Sequence, residues 1–181
     1  MPIVVVDYDP GWPVAFERLR AVIWPVVAEI AQSIEHVGST SVPGLAAKPI
    51  IDVSVVVGAE SDVPLACERL ATIGYVHQGN LGIDGREAFE SPAGFPAHHL
   101  YVCHGDSLAL ANHLAVRDYL RAHPESSREY GEVKKQLAKQ FPDDIDGYVD
   151  GKTDLLLRIL GAAGLPDAQL ENISRANRKA V

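Results

Sequence analysis

One run of branched aliphatic residues, Pro49 to Val57, most constrains how this chain folds. It holds two isoleucines and four valines, a density that predicts a β-strand. Because side chains alternate along a strand, Asp52 and Ser54 share one face while the apolar residues between and around them occupy the other. A carboxylate among such residues is unfavourable unless it is paired or holds a cation. Asp52 is therefore the first candidate functional residue.

The composition indicates a folded, non-membrane protein. The 181 residues suit one compact domain, or one domain with a helical cap. Hydrophobic residues make up 47% and charged residues 22%, which favours a packed core over disorder. No apolar run approaches the roughly 20 residues that span a bilayer. The first six residues lack the basic region of a secretory signal, and only two distant cysteines occur, so we expect a cytoplasmic location.

The charge is unevenly distributed. The net charge of −8 argues against broad nucleic-acid binding. Residues 1–107 hold 13 acidic and 5 basic side chains, whereas residues 108–181 hold 11 of each. Lys48 is the one lysine of the acidic part. It lies just before the Asp52 strand, where it either reaches a phosphate as a point charge or is a solvated loop residue.

The chain is predicted to divide into an α/β part, residues 1–107, and a helical part, residues 108–181, packed on it. Pro25 is expected to break the first helix or to start a second one ending near Ile30. The glycine-rich segment 79–85 is predicted to form a hairpin turn or a mobile flap. The predicted strands are 34–38, 49–57, 75–78, 86–90 and 98–103, and the predicted helices are 11–21, 62–73, 108–122, 125–140, 144–162 and 167–179.

A possible phosphate site lies at Gly38-Ser39-Thr40, at the end of the 34–38 strand. Glycine lets the backbone turn tightly there, and exposed N–H and hydroxyl groups hold a phosphate. Asp52 follows Ser39 by 13 residues, on the next strand. Each feature alone is typical of an ordinary turn or an exposed strand face. Their combination favours phosphate bound through Mg²⁺, which prefers oxygen ligands.

Two histidines could join Asp52. His36 precedes the Gly-Ser turn by two residues, and His99 lies in the predicted strand 98–103. We expect His36, Asp52 and His99 to converge as metal ligands or as a proton-transfer group. Two imidazoles and a carboxylate favour Zn²⁺ or Mn²⁺ over Mg²⁺. The alternative is that each histidine hydrogen-bonds to the backbone or caps a sheet edge.

The helical part offers cationic side chains at regular spacing. His113, Arg117 and Arg121 form one stripe on a helix, from which arginines could fork onto phosphate oxygens. Tyrosine and lysine recur four residues apart, as Tyr130 with Lys134 and as Tyr148 with Lys152. In each pair the tyrosine would stack on a base while the lysine meets a phosphate. The alternative is a solvated charged face with tyrosines packed between helices.

The stretch from Glu35 to Asp52, EHVGSTSVPGLAAKPIID, resembles the signature of the GrpB family, also called UPF0157. Residues 117–124, RDYLRAHP, and the opening residues 8–12, YDPGW, resemble it too, and the Tyr–Lys pairs follow in order. The resemblance covers about residues 5–163. The family is placed in the nucleotidyltransferase superfamily. It implies a nucleotidyltransferase-like mixed sheet with flanking helices and a C-terminal helical cap.

The resemblance also implies roles. Gly38 and Ser39 match the strand-end Gly-Ser whose serine touches nucleotide phosphate. Asp52 matches the first acid of the pair that binds Mg²⁺ in that superfamily. Ser54 stands where the second acid is expected, a departure that weakens metal binding, because two-metal transfer needs carboxylates that bridge the cations.

These observations predict a protein that binds a nucleotide or another phosphorylated small molecule, with a divalent metal, between the sheet and the cap. Mg²⁺ is the first expectation, and Mn²⁺ or Zn²⁺ the alternatives. If the protein is catalytic, it transfers a nucleotidyl or phosphoryl group. The alternatives are a non-catalytic binding module and a metal-dependent hydrolase. The predicted residues are Asp52 and His99 for catalysis, Gly38, Ser39, Thr40, Lys48, Arg117, Lys134 and Lys152 for phosphate, and Asp52, His36 and His99 for metal.

Overall fold

The computed structural model describes residues 2–178, which form one five-stranded mixed sheet and six α-helices. The sheet has the order β1-β2-β5-β4-β3; β2 and β5 are parallel and the other neighbours are antiparallel. The predicted mixed sheet with flanking helices is thereby confirmed. The elements are α1 Gly11–Val27, β1 Ala31–Val37, β2 Ile51–Val57, α2 Val63–Ala71, β3 Val76–His77, β4 Glu87–Glu90, β5 His98–His104, α3 Leu108–Ala122, α4 Pro124–Gln140, α5 Ile145–Ala162 and α6 Asp167–Arg178.

The main core lies between one face of the sheet and helices α1 and α2. Every third or fourth residue of α1 is buried, from Trp12 to Val27, which is the stripe of an amphipathic helix. The sheet meets it with side chains of β2 and β5 such as Val53 and Leu100, both fully buried. Burying one such side chain contributes about 1.5–3 kcal/mol, so this face holds the sheet and the two helices together.

Helix α1 is longer than the sequence suggested. The prediction that it ends near Ala21, with a break or a new helix at Pro25, is wrong: α1 continues to Val27 with Pro25 inside it. Proline removes one helical hydrogen bond and crowds the preceding turn. Ile23 and Val27 are both completely buried in the core, and that burial offsets the cost of the proline.

The opposite face of the sheet carries Asp52 and is covered by the C-terminal helices. Two arginines of α3 tie this layer to the first strand. Arg117 Nη1 donates to Glu35 Oε2 at 2.8 Å and to the carbonyl of His36 at 3.3 Å. Arg121 donates two hydrogen bonds, of 2.7 and 3.1 Å, to the carbonyl of Ser41. The end of β1 and the turn after it are therefore fixed relative to α3.

All five strands precede Ser107, and α3 begins directly after it. The Ser107 hydroxyl accepts a hydrogen bond from the amide of Leu110 and caps the helix. The last predicted helix, 167–179, is observed as far as Arg178, and residue 179 lies outside the described residues. Within residues 2–178 no helix combines the length and apolar character needed to cross a bilayer.

The proline inside α1 gives a testable stability effect. We expect Pro25→Ala to raise the free energy of unfolding by roughly 1–2 kcal/mol, because the new amide completes a helical hydrogen bond and the ring crowding is relieved. The matched control is Pro13→Ala, in the first turn of α1, where no helical bond is gained. Urea unfolding of both variants measures the difference, and equal changes would contradict this explanation.

Candidate functional site

The site begins where β1 ends. The register pairs Val37 of β1 with Asp52 of β2, so the next residue, Gly38, lies against the Asp52 side chain. Gly38 has φ +68°, and a Cβ added there would overlap the Asp52 carboxylate. Glycine is therefore required for both the backbone conformation and the close approach. The chain then turns through a short 3₁₀ helix, Ser39–Ser41.

A cavity of about 700 Å³ opens beside this turn, between the Asp52 face of the sheet and helices α3–α6. Three lysines line it, from three different segments: Lys48 before β2, Lys134 of α4 and Lys152 of α5. Lys134 Nζ donates to Ser39 Oγ at 2.8 Å, although its residue is only 2% exposed. A buried ammonium group thus has a neutral hydroxyl as its hydrogen-bond partner.

The two tyrosines of the Tyr–Lys pairs are buried between helices. This is the alternative prediction, in which the tyrosines pack between helices. Each supports the lysine four residues later: Lys134 Nζ lies 4.7 Å from the ring centre of Tyr130, and Lys152 Nζ lies 5.3 Å from that of Tyr148. Lys48 Nζ also lies over Tyr148, at 5.6 Å. Cation–π contacts of this kind stabilise ammonium groups that have left water, and they direct all three into the cavity.

Burial and mutual repulsion destabilise the charged lysines. Burial lowers the pKa of Lys134 well below its usual value, and Lys152 lowers it further, while Asp52 acts in the opposite direction. Burial, with a smaller contribution from Lys48, lowers the pKa of Lys152 to about 8. Within residues 2–178 none of the three forms an ion pair with a carboxylate at 4 Å or less. An anion entering the cavity would relieve this strain.

Asp52 and His99 form a pair at the edge of the cavity. They are register partners on the parallel strands β2 and β5, and His99 Nδ1 lies 3.1 Å from Asp52 Oδ1. The imidazole is about half exposed and lines the cavity. A carboxylate that holds Nδ1–H leaves Nε2 free to accept a proton, which is the arrangement of a general base.

His36 does not join this pair. It pairs with Val53 in the register, so its side chain lies on the face opposite Asp52. There the ring stacks on Phe16, with centroids 4.7 Å apart, and Nε2 lies 3.0 Å from Thr40 Oγ1. Burial lowers the pKa of His36 to about 4, so it is neutral at pH 7. The structure therefore does not bring the three expected metal ligands together.

The residues present do not fit a resident divalent cation. Within residues 2–178 no cluster of three or more His, Cys, Asp or Glu side chains is arranged to hold a metal. Asp52 lines the same cavity as Lys48, Lys134 and Lys152, whose charges repel a cation. Ser54, at the place of the second acid, is fully buried and its hydroxyl lacks a hydrogen-bond partner. A lone carboxylate among ammonium groups lacks the oxygen ligands that Mg²⁺ requires.

Two other predicted phosphate ligands, Thr40 and Arg117, differ in whether they line the cavity. Thr40 lines the cavity, but its hydroxyl is engaged by His36 and lies 3.4 Å from the carbonyl of Ile50. Arg117 does not line the cavity, because its guanidinium is occupied by Glu35 and Asp118. The structure brings together Gly38, Ser39, Thr40, Lys48, Lys134 and Lys152, and it places Arg117 in a structural ion pair instead.

Several residues that line the cavity were not predicted from the sequence. Arg86 and Asn112 line the cavity, although neither stands in a recognisable motif. Three amide side chains of α6, Gln169, Asn172 and Asn177, line it as well. Their spacings of three and five residues do not form a regular helical stripe, so no pattern in the sequence marks them.

Known proteins resemble this chain in sequence and in fold. The family model described as "GrpB protein" matches residues 2–161. The chain belongs to the GrpB family. It is 38% identical over 156 residues to the UPF0157 protein YqkA of Bacillus subtilis, a match that covers 84% of this chain and 44% of that protein, less than half of its length. It is 36% identical to the crystal structure of GrpB from Enterococcus faecalis, with a TM-score of 0.80 and coverage of 93% and 98%.

The fold extends to more distant proteins. A crystal structure of the Cid1 poly (U) polymerase matches with a TM-score of 0.52 at 16% identity, covering 75% of this chain and 44% of Cid1. At that identity the match shows the fold alone. This GrpB protein therefore has a nucleotidyltransferase-like fold, as the resemblance of its Gly-Ser and Asp52 segment implied.

The contact between Gly38 and Asp52 gives a second testable effect. We expect Gly38→Ala to lower the free energy of unfolding by roughly 2–4 kcal/mol, since the methyl group both overlaps the carboxylate and disfavours the positive φ. Gly44→Ala is the control for a positive φ without a side-chain overlap, because its φ is +80° and nothing lies within 4 Å of an added Cβ. Denaturant unfolding that gives equal losses would refute the contact.

Removing a buried lysine from the cavity is expected to stabilise the folded protein. The pKa of Lys152 lies near 8 in the folded protein and near 10.4 unfolded, so folding releases protons between these values and stability rises with pH across them. We expect Lys152→Met to stabilise the protein by about 1–2 kcal/mol at pH 7, and to remove that rise between pH 8 and 10. The exposed Lys139→Met is the control. Thermal unfolding across pH 6.5–10 measures both, and a destabilised Lys152→Met variant would contradict the electrostatic description.

Proposed function

We propose that this GrpB protein binds a nucleotide or another phosphorylated small molecule in the cavity between the sheet and helices α3–α6. The observation that carries the proposal is the convergence of three lysine side chains in the cavity beside Ser39, one of them bonded to it, without a matching set of carboxylates. Like charges are held together at a cost in stability, and a bound polyanion reverses that cost. Binding of this kind explains why the lysines persist at buried positions.

Phosphate oxygens fit the cluster chemically. Ser39 Oγ and the ammonium groups of Lys134 and Lys152 offer hydrogen-bond donors to an oxyanion. Charge-assisted hydrogen bonds to phosphate are about twice as strong as neutral ones. Bound phosphate stabilises the ammonium forms, so binding takes up protons above about pH 7. The lysines supply the neutralising charge for which other phosphate sites use a cation.

A second candidate function, nucleotidyl transfer, is favoured by the Asp52–His99 pair. His99 Nε2 would accept the proton of an acceptor hydroxyl while that oxygen attacks the α-phosphorus of a nucleoside triphosphate. The bond to the bridging oxygen breaks and pyrophosphate leaves. Ser54 instead of a second acid favours the binding module over the transferase. The hydrolase built on His36, Asp52 and His99 receives no support, because His36 lies on the other face of the sheet.

Thermal-shift measurements with inorganic tripolyphosphate, GMP and ATP, each in EDTA and in Mg²⁺, test the binding proposal. A ligand at about 100 times its Kd stabilises by about 2.7 kcal/mol. We expect this shift to occur in EDTA and to fall at least tenfold in apparent affinity in Lys134→Met and Ser39→Ala, because both lose a donor to the phosphate. Salt should weaken it, since the attraction is screened.

Lys139→Met serves as the matched control, since Lys139 is an exposed lysine on the same helix as Lys134. Undiminished binding in both Lys134→Met and Ser39→Ala would overturn the assignment of the site. A shift found only with Mg²⁺ would show that the ligand brings a cation with it. Release of pyrophosphate from ATP that is lost in His99→Asn would establish transfer, and its absence at saturating ligand would leave the binding module.

A further inference from the structure

Four buried polar atoms without hydrogen-bond partners are concentrated in one region. Within residues 2–178 they are Ser54 Oγ, Arg86 Nε, Asn112 Oδ1 and His113 Nδ1. Three of these residues, Arg86, Asn112 and His113, line the cavity, and Ser54 lies beneath it as the register partner of Tyr101. Each unsatisfied buried group costs about 1–3 kcal/mol. Their concentration indicates a place where a ligand completes the hydrogen bonds.

The groups are held by packing around the ring of Tyr101. The Arg86 guanidinium carbon lies 4.4 Å from the centre of that ring, and the ring of His113 lies 5.7 Å from it. The nearby carboxylate of Glu87 is already bonded to His77 at 2.6 Å, and no ion pair with Arg86 forms within the described residues. Arg86 is thus a positioned guanidinium with free donors.

The donor and acceptor pattern selects the ligand. Arg86 Nε–H requires an acceptor, whereas Asn112 Oδ1 requires a donor. A carboxylate or a phosphate has acceptors only at neutral pH and would face Asn112 Oδ1 with repulsion. A nucleobase edge satisfies both groups, because each base presents an acceptor beside an N–H donor, as do O6 and N1–H of guanine or N7 and N6–H of adenine. Burial lowers the pKa of His113, so its ring is neutral and adds a further donor or acceptor without charge.

The spacing matches a nucleotide. Tyr101 follows His99 by two residues on β5, so the two side chains lie roughly 7 Å apart along the strand. His99 is level with its register partner Asp52, whereas Tyr101 is level with Ser54 and lies against Arg86. A phosphate at the level of Asp52 and a base at the level of Ser54 leave room for one ribose between them.

We propose that Arg86, Asn112 and His113 form a base-binding subsite, which favours a nucleotide over a phosphorylated sugar that has no base. This inference rests on the proposed phosphate site, and it names the ligand class of the same cavity. The amide side chains of α6, including Asn172, line the same cavity.

Isothermal titration of GMP, UMP, AMP and ribose 5-phosphate tests the subsite. We expect the three nucleotides to bind at least about tenfold more tightly than ribose 5-phosphate, and Arg86→Gln and Asn112→Leu to abolish that difference while leaving ribose 5-phosphate binding unchanged. Arg158→Gln, on an exposed arginine of α5, is the control. Two independent variants keep the test valid if one of them unfolds, which circular dichroism checks.

The outcomes separate this inference from the proposed function. If ribose 5-phosphate binds as tightly as GMP, UMP and AMP, and Lys134→Met weakens all four, the phosphate site stands and the base-binding subsite is overturned. A preference for nucleotides over ribose 5-phosphate that survives both Arg86→Gln and Asn112→Leu also overturns it. If Lys134→Met and Ser39→Ala both leave the binding of all four ligands unchanged, the proposed function itself fails.

Discussion

The site depends on one close contact, that of the Asp52 carboxylate with the backbone of Gly38. A strand register sets it, because Val37 and Asp52 are partners and the chain must leave β1 directly over the carboxylate. Only glycine leaves room there, and its positive φ starts the turn that carries Ser39. Ser39 in turn receives Lys134 from α4. The sheet, the turn and the helical layer thus meet at a single point.

The helical layer is held over that point by polar contacts rather than by a large apolar interface alone. Arg117 bonds to Glu35 and to the backbone of β1, and Arg121 bonds to the carbonyl of Ser41. A partly buried arginine that satisfies backbone carbonyls fixes geometry more strictly than apolar packing does, since its hydrogen bonds are directional. These arginines therefore fix the turn that carries Ser39 relative to the helices.

The cavity of this nucleotidyltransferase-like fold brings three lysines beside the Asp52 carboxylate. Ser54 at the second acid position leaves Asp52 alone, and three ammonium groups supply the positive charge. Cation–π contacts with Tyr130 and Tyr148 reduce the cost of burying them. The pKa of Lys152 is lowered to about 8 in this cavity, because burial and the neighbouring Lys48 both favour the neutral amine.

The sequence by itself determined the mixed sheet, the C-terminal helices, the family, and the meeting of the Gly38-Ser39 turn with Asp52, because alternation, helical periodicity and local motifs are encoded over short distances. It misplaced the end of α1, since the burial of Val27 that outweighs Pro25 is a tertiary effect. Tertiary structure alone decided that His36 faces away from Asp52, that Arg117 is occupied by Glu35, and that Arg86 and Asn112 line the same cavity. Each of these outcomes depends on strand register and on contacts between segments that are distant in sequence. The spacing of residues along the chain predicts neither the register nor these contacts.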